Sequence, residues 1–181
     1  KLMVSFLRNN IGYPAKKGFI PKGLPGTSDK EIEYDPKLAK RLVEDYIKQT
    51  GERPILKLAT DSNYIDLCEY LQREFQKIGI EIIIDVMSTA SLRQAKSSGK
   101  LELFRASWIA DYPDAENYLS LFNSINFSPN GPNYTHYKNL TFDKMYKNSL
   151  KILSDSLRYK KYKHMDSLAF SDFPIIPLYY D

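Results

Sequence analysis

Cysteine, histidine and long apolar runs are scarce in this chain, and each scarcity excludes a class of function. Cys68 is the single cysteine among 181 residues, so neither an internal disulfide nor a cysteine-built zinc cluster can form. The two histidines, His136 and His164, lack the i,i+4 spacing of a helical metal pair. The chain is 43% hydrophobic, yet no apolar run approaches the ~20 residues of a membrane-crossing helix. The patterns G-x-S-x-G, H-E-x-x-H and G-x-G-x-x-G are missing. Gly99-Lys100 lacks the upstream glycine of a phosphate-binding loop, and Leu101 follows where Ser or Thr is required. No residue pattern calls for a metal or cofactor. A strong charge of one sign is lacking too: 26 Lys+Arg against 22 Asp+Glu leave a net +4. The densest basic stretch, Lys138 to Lys163, is broken by Asp143 and Asp155 and reads as solvated helix surface. A nucleic-acid partner is therefore not expected.

What the chain has in quantity is aromatic side chains: 14 Tyr, 9 Phe and one Trp. Aromatics fill cores first, and a surplus lines pockets or interfaces. The ends are abrupt. The chain opens at Lys1 with no leader pattern and stops at 175-IIPLYYD-181, inside what reads as a strand. The expectation is a segment of a longer protein, with any signal peptide or lipid anchor upstream.

Periodicity organises the rest. Residues 1–34 read as irregular, with Gly and Pro at turn spacing in 18-GFIPKGLPGTSD-29. Asp35 and Pro36 open a helix whose apolar stripe is Leu38, Leu42, Val43, Tyr46 and Ile47, closed by Gly51. A strand at 55–60 follows, then a helix at 63–78 burying Tyr64, Leu67, Cys68, Leu71, Phe75 and Ile78. Next come a β-branched strand at 80–87, a short helix at 89–98 and a strand at 101–110. Strands alternating with helices predict a parallel sheet with right-handed crossovers. The remainder reads as a short helix at 115–122, a loop at 123–139, and helices near 141–153 and 156–171. Their stripes are Phe142, Met145, Tyr146 and Leu153, then Tyr159, Tyr162, Met165 and Ala169.

The segment 105-RASWIADYPDAENYLSLF-122 holds the only tryptophan and then breaks in a Tyr-Pro-Asp turn. Ligands in parallel sheets bind beyond the carboxyl ends of strands, where this reading places Asp111. Asp114 reads as a turn former and helix cap. Asp111 reads either as another turn former or as a carboxylate that meets a cationic ligand group such as an ammonium. Arg105 is unusual in an apolar strand, and either reaches to the surface or holds an anion. Cys68 falls on a buried stripe and reads as packing rather than as a nucleophile. His164 reads as surface, and His136 has the better placement for facing a site.

These residues resemble a known family. "RASWIADYPDAENYLSLF" is similar to the signature region of the extracytoplasmic solute-binding proteins of oligopeptide and dipeptide ABC transporters. "GFIPKGLPG", "YDPKLAKRLVEDY", "LATDSNYIDLCEYLQREFQKIGIEIII" and "PIIPLYY" agree in the same order. The resemblance implies a periplasmic-binding-protein-like α/β lobe, with a βαβαβ parallel-type sheet flanked by helices and hinge strands at both ends. It implies one lobe, residues 1–181, of a larger two-lobed protein, with the first lobe missing. Residues 1–34 would lead in, 35–110 would form the βαβαβ core, and 111–181 would supply ligand-side loops, helices and a return strand. A peptide would lie between lobes that close over it and pass to a membrane permease and its ATPase. The resemblance implies that Asp111 meets the ligand's α-amino group, that Trp108 and Tyr112 lie at the ligand, and that Arg105 meets its carboxylate. It implies a monomer in the periplasm or outside the membrane, freely or as a lipoprotein. Rival readings are a non-peptide solute (a nickel chelate, oligosaccharide or cationic metabolite), a free-standing α/β enzyme domain, and a signalling or adhesion module.

Overall fold

Alternating apolar and polar residues in two stretches, and the helices between them, decide where the sheet forms. The computed structural model describes residues 2–29, 31 and 33–181. In chain order the regular elements are α1 (Leu2–Leu7), β1 (Tyr13–Pro14), α2 (Pro36–Thr50), β2 (Ile55–Asp61), α3 (Ile65–Lys77), β3 (Glu81–Met87), α4 (Thr89–Ser97), β4 (Leu103–Phe104), α5 (Glu116–Leu119), α6 (Leu140–Ser149), α7 (Asp155–Asp172) and β5 (Tyr179–Tyr180). The chain divides into two compact units, one of Leu2–Leu7 with Glu33–Ser107 and one of Arg8–Ile32 with Trp108–Asp181.

The first of these is the sheet unit. Its strands run parallel in the order β3-β2-β4, as the alternation of strands and helices predicts. The register sets Leu56 against Ile82 and Leu58 against Ile84, so one face presents a row of branched side chains. Cys68, Leu71 and Phe75 of α3 lie on one helical face, and this face packs on that row. Burying it is the main stabilising term of the unit. The helix ends follow the sequence signals. Asp35 accepts the Leu38 N–H at 2.8 Å, Pro36 sits at the first position, and Gly51 closes α2 at φ +77°.

Several expectations are corrected here. The strand expected at 101–110 is only Leu103–Phe104. Leu103 pairs with Leu58, so Asp111 would need a partner near residue 66, where the chain is already in α3. The ladder stops at Phe104, opposite Ala59, although β2 runs on to Asp61, and Asp111 lies seven residues beyond the last strand residue rather than at its mouth. Residues 1–34 are not wholly irregular, since they contain α1 and β1. Only Met3 and Val4 of α1 are buried, too few to give a readable stripe. On α2 the expected stripe is mostly uncovered: Val43 is buried, but Leu38, Leu42 and Tyr46 are exposed.

The second unit is mainly helical. Its core joins Ile20, Leu119, Phe122, Phe142, Tyr146, Tyr162 and Met165. Phe19 meets Phe122 edge to face at 5.1 Å between centroids, while Phe142 and Tyr146 stack. The stripes predicted for α6 and α7 are buried or half-buried except at Leu153, which lies past the end of α6 and is exposed. The two ends of the unit meet in an antiparallel pair, Tyr13 with Tyr180 and Pro14 with Tyr179. A buried carboxylate ties another part of it. Asp166 of α7 accepts the N–H groups of Phe19 at 2.7 Å, Ile20 at 3.2 Å and Ser28 at 2.9 Å. Gly18 makes this approach possible: a Cβ there would stand 2.0 Å from Asp166 Oδ2. Among the described residues, no helix is long and apolar enough to cross a membrane.

Candidate functional site

The turn from Trp108 to Asn117 is held by its own polar groups. Trp108 Nε1–H donates to Oδ1 of the buried Asn117 at 2.7 Å, bracing the start of the segment against α5. Asp114 N–H donates to the Tyr112 carbonyl at 2.9 Å, and the Asp114 carboxylate accepts the Glu116 N–H at 2.8 Å. The other Asp114 oxygen lies 3.6 Å from Arg158 Nη2. Asp114 thus does the structural work its sequence position suggested, shaping the turn and starting α5. Asp111 differs. It is exposed, and among the described residues no hydrogen bond or ion pair engages its carboxylate.

Tyr112 is also exposed, but its hydroxyl is committed. It donates to one oxygen of Glu116, and the Tyr146 hydroxyl donates to the other. Burial first, and then the Glu116 carboxylate, push the Tyr146 phenol well above its ordinary range. The Tyr112 phenol is raised by burial and by the same carboxylate. This Tyr–Glu–Tyr clamp was not read from the sequence. The i,i+4 spacing of Tyr112 and Glu116 was a usable signal, but Tyr146, thirty residues further on, gave none.

Arg105 belongs to the sheet unit, at the carboxyl end of β4. Its backbone N–H donates to the Ala59 carbonyl at 2.9 Å. Its guanidinium lies 3.1 Å from the centroid of the Tyr64 ring, so it neither dangles in solvent nor sits buried without a partner. Lys96 of α4 lies 6.0 Å from the Phe104 ring centroid. Its ammonium pKa is lowered, first by burial and then by the charges of Arg105 and Arg93. The carboxyl end of this sheet therefore carries an excess of cationic groups beside Asp61, and can hold an anionic group.

The other residues singled out fall into place. Cys68 is fully buried, and burial raises its thiol pKa, so it packs. His164 is exposed on α7. His136 sits in the 123–139 loop with Nε2 2.9 Å from Ser128 Oγ, beside the Phe127 ring. Among the described residues, no group of three His, Cys, Asp or Glu side chains is placed to hold a metal ion. A groove of about 450 Å³ in the sheet unit is lined by Lys57, Asp85, Met87 and Glu102 among others, and by none of the four candidate residues.

Comparison with known proteins completes the picture. Residues 1–129 match the model of the bacterial extracellular solute-binding proteins, family 5 Middle. The oligopeptide-binding protein OppA of Bacillus subtilis is 24% identical over 173 residues, covering 89% of this chain and 31% of its own. Heme-binding protein A of Haemophilus influenzae is 24% identical over 187 residues, covering 98% of this chain and 34% of its own. Among solved structures, the ABC transporter-associated periplasmic binding protein DppA of Helicobacter pylori, in complex with the peptide STSA, superposes with a TM-score of 0.85. It is 22% identical, and the match covers 98% of this chain and 35% of that one. The chain thus spans about a third of the length of these proteins, and its fold is that of the periplasmic binding proteins. This chain belongs to the bacterial extracellular solute-binding proteins of family 5.

Proposed function

We propose that this chain is one lobe of a solute-binding protein that captures peptides in a cleft and delivers them to a membrane permease driven by an ATPase. The observation that carries the reading is Asp111: a carboxylate with no partner among the described residues, exposed on a turn whose other polar side chains are engaged. A group held ready in this way suits an ammonium, and a peptide with a free amino terminus supplies one. Trp108 gives the turn an aromatic wall, Tyr112 adds an exposed ring, and Arg105 supplies a guanidinium suited to a ligand carboxylate. Relatives and structural neighbours named as peptide binders agree with this chemistry. Capture proceeds by hinge closure of two lobes over the ligand, and the whole protein acts as a monomer outside the cytoplasmic membrane.

The second reading is a non-peptide solute, and it has a specific support: a relative named for heme binding aligns with 98% of this chain. Native mass spectrometry of the full-length protein, purified without refolding, separates the two. Co-purified masses that sequence as short peptides support the first reading. A bound mass that is not peptide overturns it in favour of the second.

A further inference from the structure

The corner between α6 and α7 carries a surface that solute capture leaves unused. Leu150, Leu153 and Leu157 are 59%, 96% and 56% exposed there. Their turn is well built. Leu150 N–H donates to the Tyr146 carbonyl at 3.3 Å, and Lys151 N–H to that of Asn148 at 3.1 Å. Ile152 N–H donates to the Ser149 carbonyl at 3.1 Å, and the Ile152 carbonyl accepts from Arg158 Nη1 at 3.4 Å. Leu150 and Leu153 continue the stripe of Phe142 and Tyr146 past the end of α6, and Leu157 stands in the first turn of α7. Their exposure leaves an apolar tip at the corner of this chain.

Five lysines stand on the same two helices and the corner between them, within two turns of these leucines. Lys144, Lys147 and Lys151 share one exposed face running off the end of α6. Lys160 and Lys161 stand three and four residues after Leu157, on the same side of α7. Among the described residues, none of these lysines has an ion-pair partner. The only acids between Lys138 and Lys163 are engaged elsewhere, Asp143 with Ser124 at 2.7 Å and Asp155 with Arg158 at 2.9 Å.

An apolar tip next to unpaired lysines matches a bilayer with anionic headgroups. Leucines reach the headgroup–acyl boundary, while lysine stems lie along it and their ammonium groups meet phosphates. A nucleic acid offers phosphates but no apolar layer for the leucines. We propose that the α6–α7 corner docks on membrane surface rich in anionic phospholipid, inserting Leu150, Leu153 and Leu157. Such docking holds the protein at the membrane whichever solute it carries.

The test is co-sedimentation of the full-length protein, made without any lipid modification, with two kinds of vesicle. One is phosphatidylcholine alone, and the other contains about a third phosphatidylglycerol. Binding is expected on the anionic vesicles only, and is expected to weaken with salt. Leu153→Asp, and separately Lys147→Glu with Lys151→Glu, should each reduce it about tenfold or more without lowering the melting temperature, since these side chains are exposed. No binding to anionic vesicles, or equal binding by wild type and both variants, overturns the proposal. So does binding only to vesicles that carry the permease, which would make the corner a protein-docking surface.

Discussion

Removing the Asp166 carboxylate should loosen the segment that it holds, by an amount the structure allows us to work out. Three backbone N–H groups, of Phe19, Ile20 and Ser28, donate to this fully buried side chain. A hydrogen bond to a charged acceptor contributes about 1.5–3 kcal/mol net, so three give roughly 4–9 kcal/mol. Against this stands the cost of burying the charge, because burial raises the Asp166 pKa from 3.8 to about 6. Roughly two units correspond to about 3 kcal/mol. Asp166→Ala should therefore cost about 4 kcal/mol at neutral pH. The direct readout is hydrogen exchange in the full-length protein. The three amides should lose about a thousandfold in protection, the equivalent of that free energy. Asp166→Asn, which keeps one acceptor oxygen, should fall between. The pH dependence follows from the sign of the shift. Because the folded state favours the protonated acid, wild type gains stability as pH falls from about 6 toward 3.8 and loses it again as pH rises through about 6. Asp166→Ala lacks that dependence, so the gap between the two should widen on acidification. A loss of protection below tenfold, or a gap that narrows as pH falls, would refute the reasoning.

Three further outcomes follow. Trp108→Phe removes the donor to the buried Asn117 and should lower stability by about 1–2 kcal/mol, seen as faster exchange across residues 108–117. Cys68, fully buried and with its thiol pKa raised, should react with a thiol reagent only at the rate of local opening, and fast labelling of the native protein would contradict its packing role. The 181-residue chain by itself, about a third of the length of its relatives, should show no micromolar complex with simple peptides by calorimetry. A micromolar complex would mean that this lobe carries the whole site.

Much of the sheet unit was legible because its signals are local and repeated. Asp35, Pro36 and Gly51 mark one helix, and the β-branched run at 80–87 marks a strand. The last strand reads too long because β4 leaves β2 opposite Ala59, two residues before β2 ends, and no residue between 105 and 110 announces that. Exposure was not legible at Leu42 or Leu153, since an apolar side chain at helical spacing looks the same whether or not something covers it. Asp166 was missed for the converse reason. A lone acid in 163-KHMDSL-168 looks solvated, and its partners lie some 140 residues earlier in the chain. In the site, the distinction between Asp111 and Asp114 was partly readable from turn chemistry. The stacking of Arg105 on Tyr64 joins residues 41 apart and left no local trace.

Recognition of a free amino terminus by Asp111, on which the proposed function rests, is open to one titration. Calorimetry of the full-length protein with a matched pair of peptides, one free and one acetylated at the amino terminus, would compare wild type with Asp111→Asn. Breaking a desolvated charge pair costs about 2–3 kcal/mol, so the variant should lose roughly 30- to 150-fold for the free peptide. For the acetylated peptide it should lose only a few-fold. Equal losses for both peptides, or no loss for either, would contradict the assignment.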